Sequence, residues 1–422
     1  MNFQDLQISL IDMVMSLSQA TDMVCPTVAN HQKRVAYMAS SLAQSMGLDH
    51  LQRNRLLMAG AMHDVGALSL AERLSALDFD ADAKGMRAHS LAGAALLRTF
   101  PPFADIAPLV AYHHQPFSEY HPDIPWETSL LHLCDRVDVL LNHNQPLLPQ
   151  VNTVCQRLTA ESQTRFNPEV VSAFLTLAKK ESFWLDMKTS MLERALRNLE
   201  RVSIIELDLP GLTDLARLFS QIVDFRSRFT STHSSGVAAS AKALARLAGL
   251  SQAECEHLRV AGYLHDLGKL AIPTEILEKN GRLTEVEFSL VRSHTFYTFR
   301  TLQTVRGLET MAAWAAHHHE RLDGTGYPFR HGEQELTLKA RIIAVADVFT
   351  AVSEDRPYRS GMDRDAAGRV LNSLAAGGGL DPRLVELLLD NYQQLDWARR
   401  QEQDQATQTY QQFWLKLPQA GN

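Results

Sequence analysis

The feature that most constrains this 422-residue chain is an internal repeat built around histidines. Residues 47–66, GLDHLQRNRLLMAGAMHDVG, align with residues 249–268, GLSQAECEHLRVAGYLHDLG, at an offset of 202, which becomes 205 further on. Ten of the 17 histidines fall at five paired positions: His31 with His233, His63 with His265, His89 with His294, His113 with His318, and His114 with His319. Random placement does not produce such pairing, so the two halves share one structural plan.

The local patterns of both halves predict helices. Apolar residues spaced i, i+3, i+4 precede each His-Asp pair. Ser251 with Glu254 has the form of a capping box, and it predicts a helix that ends near Leu264. Asp49 with Gln52 can open the corresponding helix of the first half. We therefore expect an all-α fold of two tandem helical domains.

The boundary between the two domains is predicted near residue 209. The best strand signal of the chain is SIIELDL at 203–209, a segment that can equally be a linker, and a Pro-Gly pair follows it. We place the first domain at 1–209, the second at 210–400 and a polar, helical or frayed tail at 401–422.

Composition narrows the range of partners. The chain is 45% hydrophobic and 21% charged, as expected of a globular protein with buried cores, and its net charge is −7. This negative balance argues against binding to long nucleic acid. Four scattered cysteines, an amino terminus without a basic signal region and the lack of a long apolar run predict a cytoplasmic protein without disulfides or membrane spans.

The second half carries a candidate metal-binding set of imidazoles and carboxylates. Such ligands suit divalent transition metals, and seven exceed what one tetrahedral site needs, so we expect two metals. Adjacent His-Asp and His-His residues on a helix would point about 100° apart, which lets one member of each pair serve each metal. Two close metals clamp a phosphodiester and activate water at neutral pH. The set is His233, His265, Asp266, His294, His318, His319 and Asp347.

Lys269 adds a cation four residues after His265, where it can reach a phosphate oxygen and stabilise the transition state. A single buried histidine is more often a hydrogen-bonded core residue than a ligand. An isolated His-Asp pair is likewise weak evidence for a metal site. HDLGK followed by further histidines and an aspartate is strong evidence for one.

These motifs resemble the HD-GYP branch of the HD phosphohydrolases. The similarity runs from about residue 225 to 382 and rests on HDLGKLAIP at 265–273, HHERLDGTGYP at 318–328 and ARIIAVADVFTAVSEDRPYR at 340–359. The resemblance implies an all-α fold and hydrolysis of cyclic di-GMP or of a related cyclic dinucleotide such as 3′,3′-cyclic GMP-AMP, in bacterial second messenger signalling. It also implies a di- or trinuclear metal centre, for which we expect iron, manganese or nickel in preference to zinc or magnesium.

The resemblance also implies roles for individual residues. The seven ligands named above carry over, with Asp266 bridging the metals and Lys269 holding phosphate. Arg356 and Arg359 match cationic phosphate contacts. The GYP motif is Gly326, Tyr327 and Pro328. Tyr327 can stack on a base, contact a partner such as a diguanylate cyclase-type protein, or only pack its loop.

Two positions limit the ligand set. Phe229 occupies the place where some family members have an acidic ligand for a third metal, which favours two metals over three. His317 precedes the two predicted ligand histidines, and both the repeat and the family pattern exclude it from the set.

The first half retains a parallel set but lacks much of the phosphate-binding machinery. Ala67 replaces the lysine, and no GYP segment or matching arginines follow. Three alternatives stay open for this half. It is a degenerate domain that packs against the second domain and helps dimerisation, or a regulatory domain that binds metal or a ligand, or a second active site. Its candidate ligands are His31, His63, Asp64, His89, His113, His114 and Asp135, of which Asp135 is the least secure by spacing.

The leading hypothesis is a phosphodiesterase that opens a cyclic dinucleotide to a linear dinucleotide and can cut it further to mononucleotides. One alternative is an HD-type nucleotide phosphohydrolase that acts on nucleoside triphosphates or other phosphoesters. Another is a non-catalytic protein that senses cyclic dinucleotides or binds a partner.

Overall fold

The structure of the chain is a computed structural model that describes residues 7–25, 27, 29–80, 83–200, 205–227, 231–355 and 360–417. Contacts divide the chain into two compact units. We call residues 17–205 with 416–422 the N-terminal unit, and residues 1–16 with 206–415 the C-terminal unit. Both are built almost entirely of helices, which confirms the all-α prediction. The boundaries at 209 and 400 stay a prediction.

The first eleven α-helices run from residue 10 to residue 200, and α1 begins in the C-terminal unit and ends in the N-terminal unit. They are α1 (Leu10–Asp22), α2 (His31–Ser45), α3 (His50–Met62), α4 (Leu70–Ala76), α5 (Ala83–Leu97), α6 (Ala107–Ala111), α7 (Thr128–Leu140), α8 (Val151–Ala160), α9 (Pro168–Leu177), α10 (Glu181–Leu185) and α11 (Thr189–Glu200).

Ten further α-helices follow, together with 3-10 helices at Leu267–Ala271 and His317–His319. They are α12 (Leu209–Asp224), α13 (His233–Leu247), α14 (Gln252–Leu264), α15 (Thr274–Leu277), α16 (Glu285–Leu302), α17 (Glu309–Ala316), α18 (Leu338–Ser353), α19 (Arg364–Ala376), α20 (Pro382–Asp390) and α21 (Tyr392–Lys416). Helix α21 includes most of the segment that was predicted as a polar tail.

A short antiparallel pair of strands belongs to the C-terminal unit. Strand β1 (Ile8–Ser9) pairs with β2 (Glu206–Leu207), with Ile8 opposite Leu207. The strand signal at 203–209 therefore contains a real but minimal strand, and residues 203 and 204 lie outside the described residues. Within the described part of the chain, no helix combines the length and the apolar character that crossing a membrane requires.

The predicted capping boxes of the two repeated helices are confirmed. Ser251 caps α14 and exchanges hydrogen bonds with Glu254, and Asp49 does the same with Gln52 at the start of α3. Helix α14 ends at Leu264, as predicted. The capping boxes supply hydrogen-bond partners for backbone amides and so fix where α3 and α14 begin. The His-Asp pair follows the end of each helix.

A glycine in each repeat allows two helices to cross at close range. A Cβ added at Gly262 in α14 would lie 2.7 Å from the Cα of Ala238 in α13, and one at Gly60 in α3 would lie 2.6 Å from the Cα of Ala36 in α2. Both distances are too short for a side chain. The crossing brings the first histidine of each repeat, which begins α2 or α13, towards the His-Asp pair.

Gly262→Ala should therefore lower the free energy of unfolding of the C-terminal unit by about 1–3 kcal/mol, because the added methyl group meets backbone that cannot move away. Gly368→Ala in α19 is the matched control, since its Cβ would meet only the Leu389 side chain at an ordinary 3.5 Å. Chemical denaturation followed by circular dichroism measures both variants. Equal stability of the two would contradict the close crossing.

Candidate metal centre

The seven predicted ligands of the C-terminal unit come together from six helical segments. His233 begins α13, His265 follows the last residue of α14, and the remaining ligands come from the start of the adjacent 3-10 helix, α16, the 3-10 helix 317–319 and α18. Their ligand atoms form three overlapping groups within 4.8 Å: His294, His318 and His319; His233, His265 and Asp347; and His265, Asp266 and His318.

Backbone carbonyls fix the orientation of three of these imidazoles. The Nδ1 atoms of His265, His294 and His318 lie 2.7, 2.6 and 2.7 Å from the carbonyl oxygens of the residues three positions earlier. A carbonyl oxygen only accepts hydrogen bonds, so each Nδ1 carries the proton. Each Nε2 therefore presents a lone pair to the centre of the cluster, which is the arrangement that metal-binding histidines need.

The Nε2 atoms approach one another closely enough to favour a cation between them. His294 Nε2 lies 3.3 Å from His318 Nε2, and two lone pairs at this distance repel each other unless a cation or a proton sits between them. His265 Nε2 is buried and makes no hydrogen bond of good geometry among the described residues, although Asp266 Oδ2 lies 3.2 Å away. Nitrogen and carboxylate donors of this kind suit divalent transition metals.

Asp266 lies between imidazoles. Its two oxygens are 3.2 Å from His265 Nε2 and 3.3 Å from His294 Nε2. Burial opposes the charge of the carboxylate, but His265 and Lys269 outweigh burial and hold the pKa of Asp266 well below its usual range. The residue is therefore anionic at all physiological pH values, as a carboxylate that binds a cation must be.

Lys269 forms an ion pair with Asp266, with Nζ 2.5 Å from Oδ2. Burial opposes its charge, yet Asp266 raises the pKa of Lys269 above the ordinary value. The lysine lies in a 3-10 helix and not on the next turn of α14. It keeps partial exposure, so its ammonium group stands at the border between the cluster and solvent.

The expected α-helical geometry of the paired ligands is wrong. His265 follows the last residue of α14 and Asp266 precedes a 3-10 helix, while His318 and His319 lie within a 3-10 helix. His318 and His319 both approach His294 in one group, so the two histidines are not divided cleanly between two sites. Helices α14 and α17 end just before these residues, and the imidazoles of His265 and His318 cap carbonyl oxygens in their last turns.

Glu354 is a further residue of the site that the sequence interpretation missed. Its carboxylate accepts a hydrogen bond from His233 Nδ1 at 3.2 Å and from the Gln403 side chain at 3.0 Å. Burial disfavours the imidazolium, but Glu354 and Asp347 outweigh burial and raise the pKa of His233 to about 10. The available signal was spacing, because Glu354 follows Asp347 by two helical turns.

The GYP loop packs directly beside the cluster. Tyr327 lies against His319, with ring centroids 4.9 Å apart, and the Arg292 guanidinium lies 4.5 Å from the centre of the Tyr327 ring. A Cβ at Gly326 would lie 2.5 Å from the Cα of Glu320, so the loop requires glycine at this position. Half-buried Tyr327 and His319 form the side of the cluster that reaches solvent.

Other predicted positions divide into two classes. Arg356, Arg359 and Phe229 lie outside the described residues. His317 is described and belongs to none of the ligand groups; it packs instead against Phe299 and other aromatic rings. Burial lowers the pKa of His317 to about 4.

The N-terminal unit brings its seven candidates together in the same way. Asp135, the least secure by spacing, lies 3.3 Å from His31 Nε2, and Asp64 lies 3.2 Å from His89 Nε2. Ala67, at the place of the lysine, is buried. The ligand atoms form two groups: Asp64, His89, His113 and His114; and His31, His63 and Asp135.

Comparison with known proteins places this architecture in a family. HD domain models match residues 28–140 and residues 217–384. The 3′3′-cGAMP-specific phosphodiesterase 1 of Vibrio cholerae is 32% identical over 391 residues, which cover 90% of each chain. This chain belongs to the HD-GYP family.

Further similar proteins differ in how much of the chain they match. The cyclic di-GMP phosphodiesterase PA4108 of Pseudomonas aeruginosa is 41% identical over 157 residues, which cover 37% of each chain. A crystal structure of a cyclic GMP-AMP-specific phosphodiesterase of V. cholerae, V-cGAP3, aligns with a TM-score of 0.65 at 23% identity. The alignment covers 92% of this chain and 98% of that one, and it supports the fold of two HD domains.

Glu354→Gln should weaken the metal affinity of the C-terminal unit about 10-fold, because it removes the charge that orients His233 and makes it a better donor. Competition with a chromophoric chelator measures the affinity. Glu402→Gln is a matched control, since Glu402 pairs with Arg259 and Tyr263 and lies in none of the ligand groups. An unchanged affinity in Glu354→Gln would show that this carboxylate does not support the ligand.

Proposed function

We propose that this HD-GYP protein is a metal-dependent phosphodiesterase that opens a cyclic dinucleotide, and that the C-terminal unit carries the reaction. The observation that carries the proposal is the cluster of inward-facing Nε2 atoms with Lys269 at its open border. The relative that matches along nine-tenths of the chain is named for hydrolysis of 3′,3′-cyclic GMP-AMP, which supports the same substrate class.

The metal ligands that we propose are the seven residues of the C-terminal cluster. Imidazole and carboxylate donors suit divalent transition metals, and the overlapping groups suit two ions. Iron, manganese or nickel, in preference to zinc or magnesium, stays a prediction from the family resemblance. When bound, such ions polarise a phosphodiester and activate water at neutral pH. The proposed ligands are His233, His265, Asp266, His294, His318, His319 and Asp347.

The chain's own groups would position the substrate and balance its charge. Lys269 would bind a non-bridging phosphate oxygen and stabilise the negative charge on the phosphate oxygens in the transition state of hydrolysis. The Arg292 guanidinium, which stacks on the Tyr327 ring, places a cation beside the cluster, and this suits an anionic nucleotide. Tyr327 stays a predicted base contact. Arg356 and Arg359 stay predicted phosphate contacts.

The product would be a linear dinucleotide, because in-line displacement at phosphorus releases the ribose 3′-oxygen. A second cut would give mononucleotides. Incubation of the purified chain with 3′,3′-cyclic GMP-AMP and with cyclic di-GMP, in Mn²⁺ and in Fe²⁺, distinguishes the two substrates. Turnover of nucleoside triphosphates without turnover of either cyclic dinucleotide would favour the HD-type phosphohydrolase alternative, and binding without turnover would favour a sensor.

Two interactions stay predictions beside this activity. A diguanylate cyclase-type protein would contact the chain through the GYP loop, where Tyr327 is half-buried. A homodimer is the second prediction. Neither interaction is needed for hydrolysis in the proposed mechanism.

His265→Ala and Asp266→Ala should each reduce hydrolysis of the cyclic dinucleotide to background, because each removes a donor shared by the cluster. His257→Gln is the matched control. His257 is another buried histidine of α14, and it belongs to none of the ligand groups of the described residues. Product formation followed by liquid chromatography measures all three variants. Full activity in either cluster variant would overturn the assignment.

Lys269→Met should lower kcat by about 10²–10³-fold while metal content stays unchanged, because the lysine would act on the phosphate and not as a ligand. Lys279→Met is the matched control, since Lys279 forms a surface ion pair with Glu287. Steady-state kinetics together with metal analysis separates the two effects. Loss of metal in Lys269→Met, or an unchanged kcat, would contradict this role.

A further inference from the structure

We propose that the N-terminal unit also holds divalent metal, in a closed centre that stabilises the unit and does not catalyse hydrolysis. This inference goes beyond the proposed phosphodiesterase activity, which belongs to the C-terminal unit. The ligands of this closed centre are His31, His63, Asp64, His89, His113, His114 and Asp135.

The first observation is that the imidazoles are oriented as in the C-terminal unit. The Nδ1 atoms of His63 and His113 donate to the carbonyl oxygens of Gly60 and Val110, at 2.8 and 2.7 Å. His31 Nδ1 lies 2.8 Å from the carboxylate of Asp138. These contacts direct Nε2 towards the cluster. A metal-binding histidine has the same arrangement, with one ring nitrogen on the metal and the other hydrogen-bonded to a carbonyl or carboxylate.

The second observation is a set of buried polar atoms that face one another across the cluster without a well-formed hydrogen bond. Among the described residues, Asp64 Oδ1 and Asp135 Oδ1 make no hydrogen bond of good geometry, although His89 Nε2 and His31 Nε2 lie 3.2 and 3.3 Å from them. In addition, His31 Nε2 lies 3.2 Å from His63 Nε2, a contact that needs a cation or a proton between the two nitrogens. Imidazole nitrogens and carboxylate oxygens buried this close together are stabilised when a cation lies among them.

The third observation is that a buried arginine, Arg136, pairs with one of the candidate ligands, Asp135. Arg136 is fully buried and donates to Asp135 Oδ2 through two nitrogens, at 3.0 and 2.8 Å. It also donates to the carbonyl oxygens of Ala76 and Asp78. The arginine therefore occupies one carboxylate oxygen and holds the other towards the imidazoles, where a cation would bind. The residue after Asp347 in the C-terminal unit is Val348.

The surroundings of this centre argue against catalysis. All seven ligands are at most 5% exposed, whereas the C-terminal cluster reaches solvent at half-buried His319. Ala67 provides no cation, and buried Arg73 donates to the carbonyl oxygens of Ala67 and Thr21, which occupies two of its nitrogens. A phosphodiester needs both an open side and free positive groups.

A closed centre of this kind would contribute to folding. Burial of several carboxylates and imidazoles is costly unless a cation pairs with them, and a ligand that binds only the folded state stabilises it. The bound metal would thus stabilise the N-terminal unit in the way that a structural metal stabilises other small domains.

The experiment uses the full chain with His265→Ala, Asp266→Ala and His318→Ala, which takes at least one donor from each of the three C-terminal ligand groups and leaves the N-terminal unit unchanged. The protein is stripped with a chelator, loaded with Mn²⁺ and desalted before mass spectrometric metal analysis. We expect about two ions per chain, one for each N-terminal ligand group. Metal should raise the Tm of one unfolding transition by at least about 5 °C. The metal-loaded variant should not hydrolyse cyclic dinucleotides.

Further substitutions locate the bound metal. Adding His89→Gln and His113→Gln should abolish both the metal and the Tm shift. His132→Gln should keep both, since His132 is a buried histidine of the same unit outside the ligand groups. Circular dichroism reports whether each variant folds. If the double substitution unfolds the chain, the metal count of the variant with an intact N-terminal unit decides the question.

Three outcomes would overturn the inference: background metal in the chain that lacks only the C-terminal centre, metal content unaffected by the N-terminal substitutions, or hydrolysis by the chain without a C-terminal centre. The proposed phosphodiesterase activity can fail separately. A wild-type chain that binds metal in both units but does not hydrolyse a cyclic dinucleotide would disprove that activity and leave the closed centre intact.

Discussion

Both clusters depend on one kind of hydrogen bond, which a histidine Nδ1 donates to the backbone carbonyl three residues earlier. In the C-terminal unit it orients His265 and His318, and in the N-terminal unit it orients His63 and His113. The accepting carbonyls lie in the last turn of a helix, where they have no partner within the helix. The same bond therefore caps a helix and turns Nε2 towards the cluster, so ligand geometry follows from where the helices end.

The two units use this arrangement with different surroundings. In the C-terminal unit, Lys269 pairs with the central aspartate, and Tyr327 lies on a half-buried ligand. In the N-terminal unit, Ala67 replaces the lysine, and Arg136 binds Asp135 from a fully buried position. A cation at an open border can contact substrate, whereas a cation inside the core only balances charge. This difference separates the proposed catalytic centre from the proposed structural one.

Much of the fold and the site followed from periodic features of the sequence. The repeat predicted two helical units, and the capping boxes at Ser251 and Asp49 predicted helix starts that the structure has. The offset paired five histidines and the aspartate of the His-Asp pair between the two units, but it did not pair Asp135 with Asp347. The structure brings each candidate set together. Such features are predictable because local spacing determines them.

The supporting residues could not be predicted in the same way. Glu354 and Asp138 both bind the first histidine of their unit, but they occupy different positions relative to the ligand aspartate on α18 and α7. The repeat offset therefore does not pair them. The 3-10 conformation of 317–319 was missed because it depends on tertiary packing against the neighbouring helices. Contacts between residues more than 100 positions apart have no local signal.

A crystal structure of the full chain grown with Mn²⁺ and soaked with a cyclic dinucleotide tests the account most directly. Anomalous scattering at the manganese edge locates the ions without reference to the protein model. The account predicts manganese peaks in both units, bound by Nε2 of His265 and His318 and of His63 and His113, with nucleotide density only beside Lys269. Peaks bound through Nδ1, no peak in the C-terminal unit, or nucleotide density in the N-terminal unit would contradict it.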